Sequence, residues 1–183
     1  MAKTPVFITG NQNKADYLSK MLGIELEHQK VAVDEVQSAT IEEVTEHKAR
    51  QAYAVIGKPV LVEDSGLAFT ALGGLPGPFI KFFVEVPNGL EMMCRMLDGF
   101  EDRSAQAVAV FGYYDGKDMT LIKGSVSGTI VYHPRGTNGW DWDKIFAPDG
   151  FDGLTQAEQT DDNYKKVYGT IKPFAELRDF LNT

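Results

Sequence analysis

Apolar and polar positions along the first third of the chain follow two periods, and each period predicts an element. Val6-Phe7-Ile8 is a short apolar run closed by Gly10-Asn11 and reads as a buried strand. From Asn13 to Leu22 the spacing sets Ala15, Leu18, Met21 and Leu22 on one helical face, with Gly23 as the stop. The stretch that follows, through Val33, reads as a second strand. Thr40-Ile41-Glu42-Glu43 has the Thr-x-x-Glu form of a capping box and opens a helix to Ile56, ended by Gly57-Lys58-Pro59. Val60-Leu61-Val62 is again a buried strand. Strand, helix, strand, helix, strand predicts a parallel or mixed sheet covered by helices.

Beyond Leu67 the pattern loosens. Gly73-Gly74-Leu75-Pro76-Gly77-Pro78 reads as a loop, and Phe79 to Leu97 as mostly helical with a break at Pro87-Asn88-Gly89. Ala105 to Tyr113 and Met119 to Tyr132 read as long strands joined through Asp115-Gly116, a β-hairpin. Thr155 to Tyr168 is partly helical, and a last helix lies near Pro173 to Leu181. The expected fold class is α/β. A single domain over residues 1–183 carries an antiparallel extension, giving two lobes with a ligand cleft between them.

Composition narrows the function classes. With 43% hydrophobic and 11% aromatic residues the chain can bury a sizeable core. Lys plus Arg number 18 against 26 Asp plus Glu, and the net charge of −8 argues against a basic face that scans a nucleic acid polymer. The single cysteine, Cys94, excludes an internal disulfide framework and fits a reducing cytosol. The three isolated histidines have no zinc-site spacing, and no apolar stretch has the length of a leader or a membrane span.

Several segments carry residues able to do chemistry. Thr9-Gly10-Asn11-Gln12-Asn13-Lys14 joins a strand to a helix, where unpaired N–H groups and a partial positive charge favour an anion, and Gly10 permits close approach. Lys14 in the first turn opposes the helix dipole, a cost that a bound anion would offset. The same residues also suit an ordinary turn capped by Asn11 or Asn13. Lys48 falls in the middle of an apolar arc of Ile41, Val44, Ala52, Val55 and Ile56. An ammonium there must reach an anion or extend along its own stem to the surface.

Glu63-Asp64-Ser65-Gly66 follows directly on a buried strand. Carboxylates at that end can bind Mg²⁺ or take a proton from water, although Asp-Ser-Gly is equally a turn former. Strand side chains alternate, so only one of the pair is expected to enter a cleft. Glu35, just past Val33, is a third candidate carboxylate. Asn138-Gly139-Trp140-Asp141 sets an aromatic face beside hydrogen-bonding groups, the ingredients for stacking on a nucleobase. Trp140 and Trp142 alternate as on a strand, and core packing accounts for at least one of them. Met92, Met93, Cys94 and Met96 read as core filling.

In their order along the chain these motifs resemble a known family. Thr9-Gly10-Asn11 with Lys14, Val62-Glu63-Asp64-Ser65-Gly66-Leu67, Ala71-Leu72-Gly73-Gly74-Leu75-Pro76-Gly77-Pro78, and Gly139-Trp140-Asp141 with Ala147-Pro148-Asp149-Gly150 are similar to the inosine triphosphate pyrophosphatase family. The resemblance runs from Val6 to about Gly150 and continues more weakly to the C-terminus. It implies an elongated mixed sheet and a Mg²⁺-dependent hydrolysis of non-standard purine nucleoside triphosphates between the α and β phosphates. A nucleoside monophosphate and pyrophosphate are released, which sanitises the nucleotide pool.

By that resemblance Asp64 activates the attacking water, Lys14 shares the catalytic role, and Glu35, Glu63 and Asp64 hold Mg²⁺. Thr9, Gly10, Asn11, Lys14, Lys48, Ser65 and Lys81 would hold the triphosphate, with Asn138, Gly139, Trp140, Asp141 and Lys165 completing the substrate set. A cytoplasmic homodimer with no polymer or membrane partner is implied too. The C-terminal part departs from the family. Tyr168-Gly169-Thr170 stands where the family carries Ser-His-Arg, Tyr164 where it carries a lysine, Asn138 where Phe is usual and Trp142 where Pro is usual. Base selectivity rests on pairing buried polar groups, so preference for 6-oxo purines should weaken. The alternatives are the same chemistry on a pyrimidine or modified-base triphosphate, and a nucleotide-holding module without turnover.

Overall fold

Apolar runs too short for a helix must find their backbone partners on neighbouring strands, and here they build one mixed sheet. The computed structural model describes every residue except Met1, Ala2 and Glu35. Its elements are β1 (Val6–Ile8), α1 (Gln12–Leu22), β2 (His28–Gln29), α2 (Ile41–Ile56), β3 (Val60–Phe69), β4 (Pro76–Gly77), α3 (Ile80–Val84), α4 (Gly89–Arg95), β5 (Ser104–Tyr114), β6 (Met119–Ile130), β7 (Phe146–Pro148), α5 (Asp161–Ile171) and α6 (Phe174–Leu181). The seven-stranded sheet runs β2-β1-β3-β5-β6-β7, with β4 paired to β3 off this path. β1 is parallel to β2 and β3, while β4 on β3 and β7 on β6 are antiparallel. The fold class is α/β, as the pattern predicts.

The chain divides into two compact units: Met1–Asp64 with Val110–Lys123 and Pro173–Thr183, and Ser65–Ala109 with Gly124–Lys172. In the first, strand alternation sends Val6, Ile8, Val60 and Val62 against Ala49 and Ala52 of α2. Phe111 and Tyr113 of β5, on the other face, meet Phe174 and Phe180 of α6 at 6.0 and 5.2 Å between ring centres. In the second unit Leu67, Phe69, Met93, Cys94, Ile130, Phe146 and Ile171 are among the buried core. No helix among the described residues is long and apolar enough to cross a membrane.

Several local expectations need correction. The strand expected to run through Val33 is only His28–Gln29, because its partner β1 offers just Phe7 and Ile8 for pairing. Met21 and Val55 are 38% and 66% exposed; the buried stripes are Ala15, Leu18 and Leu22 on α1 and Ile41, Thr45, Ala49 and Ala52 on α2. Thr40 is the N-cap of α2 but its side chain makes no capping bond. Ser38 breaks the box: its Oγ accepts the Thr40 N–H at 3.1 Å and donates to Glu43 at 2.7 Å. Trp140 and Trp142 are not on a strand, since Asp141–Lys144 forms a 3-10 helix. Trp142 packs edge-on to Phe146 at 6.1 Å, whereas Trp140 is 74% exposed. Met92 is exposed, unlike its neighbours Met93 and Cys94.

Cys94 gives a direct check on this core. Burial, with the nearby Glu91 carboxylate adding to it, pushes its thiol up to about 12. At pH 8 roughly one thiol in ten thousand would then be ionised, against about a quarter for a free cysteine. Native protein should therefore leave Cys94 unlabelled by iodoacetamide over hours at pH 8, and denatured protein should label within minutes; rapid native labelling, read by mass spectrometry, would contradict the packing.

Candidate active site

Glu63 and Asp64 lie inside β3, not at its end, and Asp64-Ser65-Gly66 is extended and does not turn. β1 pairs with β3 only at Val6↔Val60 and Phe7↔Leu61, so the parallel ladder with β1 stops while β3 continues to pair β4 at Leu67↔Gly77. The two carboxylates therefore stand just past the end of β1, as ligand-facing groups of such sheets do. Being adjacent on a strand they point to opposite faces, and a helix on each face supplies a lysine. Lys14 of α1 pairs with Glu63 at 3.2 Å, and Lys48 of α2 pairs with Asp64 at 2.6 Å.

Lys48 thus resolves to the anion, not to a surface-seeking stem. It sits beside Ala49 on the buried stripe, and its ammonium ends on Asp64 Oδ1. Lys14 also has its anion inside the protein: the carboxylate of Glu63 offsets the charge that opposes the dipole of α1. Asn11 is the N-cap, accepting the Lys14 N–H on Oδ1 at 3.2 Å, and Thr9 Oγ1 accepts the Asn11 N–H at 3.1 Å. By helix geometry the N–H groups of Gln12 and Asn13 have no acceptor within α1. A Cβ on Gly10 would stand 2.9 Å from Lys30 Cδ, so the stem of Lys30 lies across this loop.

Asp64 is the chemically distinct member. Burial raises its pKa from the usual carboxylate range, and the charge of Glu63 adds to this, more than Lys48 and Lys14 pull it down. Its Oδ1 is held by Lys48, while Oδ2 is buried with no hydrogen-bond partner among the described residues. A carboxylate with one oxygen fixed and the other unspent is arranged to accept a proton or a hard cation. The orphaned buried oxygen of Asp64 fits a hard divalent cation on that ground, while Glu63 points to the other face of the strand. Among the described residues no group of three or more His, Cys, Asp or Glu gathers round one point. Glu35, the third expected ligand, lies outside the described residues.

The remaining candidates belong to the second unit. Ser65 follows Asp64 on β3. Lys81 on α3 is exposed and 3.9 Å from Glu85, and Lys165 is exposed on α5. Asn138, Gly139, Trp140 and Asp141 form an exposed turn that leads into the 3-10 helix. Sequence reasoning missed Asp143, a 6% exposed carboxyl whose pKa burial raises, while hydrogen bonds from the Trp140 backbone and from Tyr164 pull it down. Its position three residues after Trp140, reaching back to cap the 3-10 helix, was the available signal.

An inosine triphosphate pyrophosphatase from Emericella nidulans is 42% identical, over 98% of this chain and 97% of its own. One from Yarrowia lipolytica is also 42% identical, over 96% of this chain and 94% of its own. Among solved structures a Ham1 protein from Staphylococcus aureus superposes with a TM-score of 0.82 at 26% identity, over 98% of both chains. A nucleoside triphosphatase described as a dITP/XTP pyrophosphatase, from Mycobacterium abscessus, gives 0.82 at 25% identity, over 95% of this chain and 98% of its own. The model of the Ham1 family matches residues 5–180, and the chain belongs to that family.

Proposed function

We propose that the chain, as one domain, is a nucleoside triphosphate pyrophosphatase that hydrolyses non-standard purine triphosphates such as ITP, dITP and XTP. The observation that carries this reading is Asp64, with Oδ1 fixed by Lys48 at 2.6 Å and a buried Oδ2 without a hydrogen-bond partner among the described residues. The names of its relatives support the substrate class. Phosphoryl chemistry of this kind needs charge neutralisation and an aligned water more than covalent steps. Asp64 Oδ2 accepts a proton from water as the water oxygen bonds to phosphorus. The α–β anhydride breaks, and pyrophosphate and the nucleoside monophosphate leave.

Lys14 keeps N–H donors beyond its contact with Glu63 and places them on phosphate oxygens, with Thr9, Gly10, Asn11, Lys48, Ser65 and Lys81 holding the rest of the chain of phosphates. Glu35, Glu63 and Asp64 would hold Mg²⁺, and the ion would supply charge neutralisation to the phosphates. Asn138, Gly139, Trp140, Asp141 and Lys165 serve the nucleoside end. The enzyme works as a cytoplasmic homodimer on a free nucleotide; light scattering at the mass of one chain would remove the dimer. Pyrophosphate release with Mg²⁺ from ITP, XTP, dUTP, modified-base triphosphates and the four standard deoxynucleotides tests the activity. Release from ITP and XTP is expected. Nucleotide bound without release from any of them would overturn the assignment.

A further inference from the structure

The turn that carries Trp140 is fastened at both ends. At one end Thr137 and Asn138 donate backbone N–H groups to the Ala157 carbonyl at 3.2 and 3.1 Å, and Asn138 Nδ2 donates to the Gln159 carbonyl at 3.1 Å. At the other end a single oxygen does the work. Asp143 Oδ2 accepts the Trp140 N–H at 2.8 Å and the Tyr164 hydroxyl at 2.8 Å. Both bonds are charge-assisted and sheltered, which makes them stronger than ordinary ones.

Tyr164 also touches the tip of the turn. Gly139 has φ +73°, and a Cβ there would stand 2.2 Å from Asp143 Oδ2 and 2.9 Å from Tyr164 Cε2. The phenol ring itself is buttressed along α5. Tyr164 stacks on Tyr168 with centroids 5.8 Å apart and planes 17° apart, and Lys172 Nζ lies 5.2 Å from the centre of Tyr168. The spacing of four residues places each side chain over the next on one helix face. All this order supports an indole left 74% exposed. A rigidly held backbone with an open aromatic face is a platform for a planar ligand.

We infer that Tyr164 is a positioning residue for the nucleobase: its hydroxyl, acting through Asp143, fixes the Gly139–Asp141 turn and so the attitude at which Trp140 meets the base. This rests on the reading under Proposed function that the turn serves the nucleoside end. The Tyr164 hydroxyl donates to Asp143 Oδ2 at the turn, so its effect falls on base binding and not on the hydrolytic step.

The test uses Tyr164→Phe, which removes one oxygen, with Asp143→Asn and the double variant. KM and kcat for ITP are measured beside the inhibition constant of inorganic tripolyphosphate, which has no base. Tyr164→Phe should raise KM for ITP about tenfold with kcat within about twofold, and leave tripolyphosphate inhibition unchanged. The double variant should be no worse than the worse single one, as for groups that act as a unit. An unchanged KM, or tripolyphosphate weakened in step with ITP, would overturn the inference. Should wild-type protein release no pyrophosphate, the proposed activity fails by itself. Quenching of Trp140 by ITP in a Trp142→Phe background then decides the inference: weaker binding on Tyr164→Phe upholds it, and equal binding overturns it.

Discussion

Replacing Asp64 by Asn is expected to cut pyrophosphate release about a thousandfold while nucleotide binding stays within a few-fold of wild type. The amide keeps the volume of the carboxyl and can still accept from Lys48 through its oxygen, whose counterpart now holds that ammonium at 2.6 Å. What it loses is the basic Oδ2, buried and without a hydrogen-bond partner among the described residues. An amide cannot take a proton from water at neutral pH, so the loss falls on kcat. Turnover near the wild-type rate would show that another group is the base.

Replacing Lys48 by Met should cost both stability and rate. Methionine fills a similar volume beside the buried stripe of α2 but leaves Asp64 without its cation. Breaking a fully buried ion pair costs about 3–5 kcal/mol. The Lys48 and Asp64 side chains are 22% and 19% exposed, so solvent reduces the loss to about 1–3 kcal/mol. For a chain of this size that lowers the melting midpoint by about 3–10 °C. Turnover should fall about a hundredfold, because a preorganised charge beside the reacting carboxylate is gone. A variant with the wild-type midpoint and rate would make Lys48 a passenger.

The sheet and its helices were legible because periods of two and of about 3.6 are written in the chain, and Lys48 could be singled out because it breaks one of them. The extent of β3 was not legible. Asp64-Ser65-Gly66 is turn-like in composition, and what keeps it extended is pairing with strands far along the chain. The phosphate-side residues were named from their motifs, but their pairing, Lys14 with Glu63 and Lys48 with Asp64, depends on which helix covers which face. Asp143 and Tyr164 are 21 residues apart and meet only through tertiary packing. The same holds for the stem of Lys30, which lies across Gly10.

The strand alternation that divides Glu63 from Asp64 also makes the site count in parity. Deleting one residue between Val60 and Glu63 would exchange the faces of the two carboxylates, so that each met the other's lysine or none. Deleting two would restore the faces but shift both by about 7 Å along the strand. This short stretch should therefore tolerate substitutions of its apolar residues far better than any change in its length.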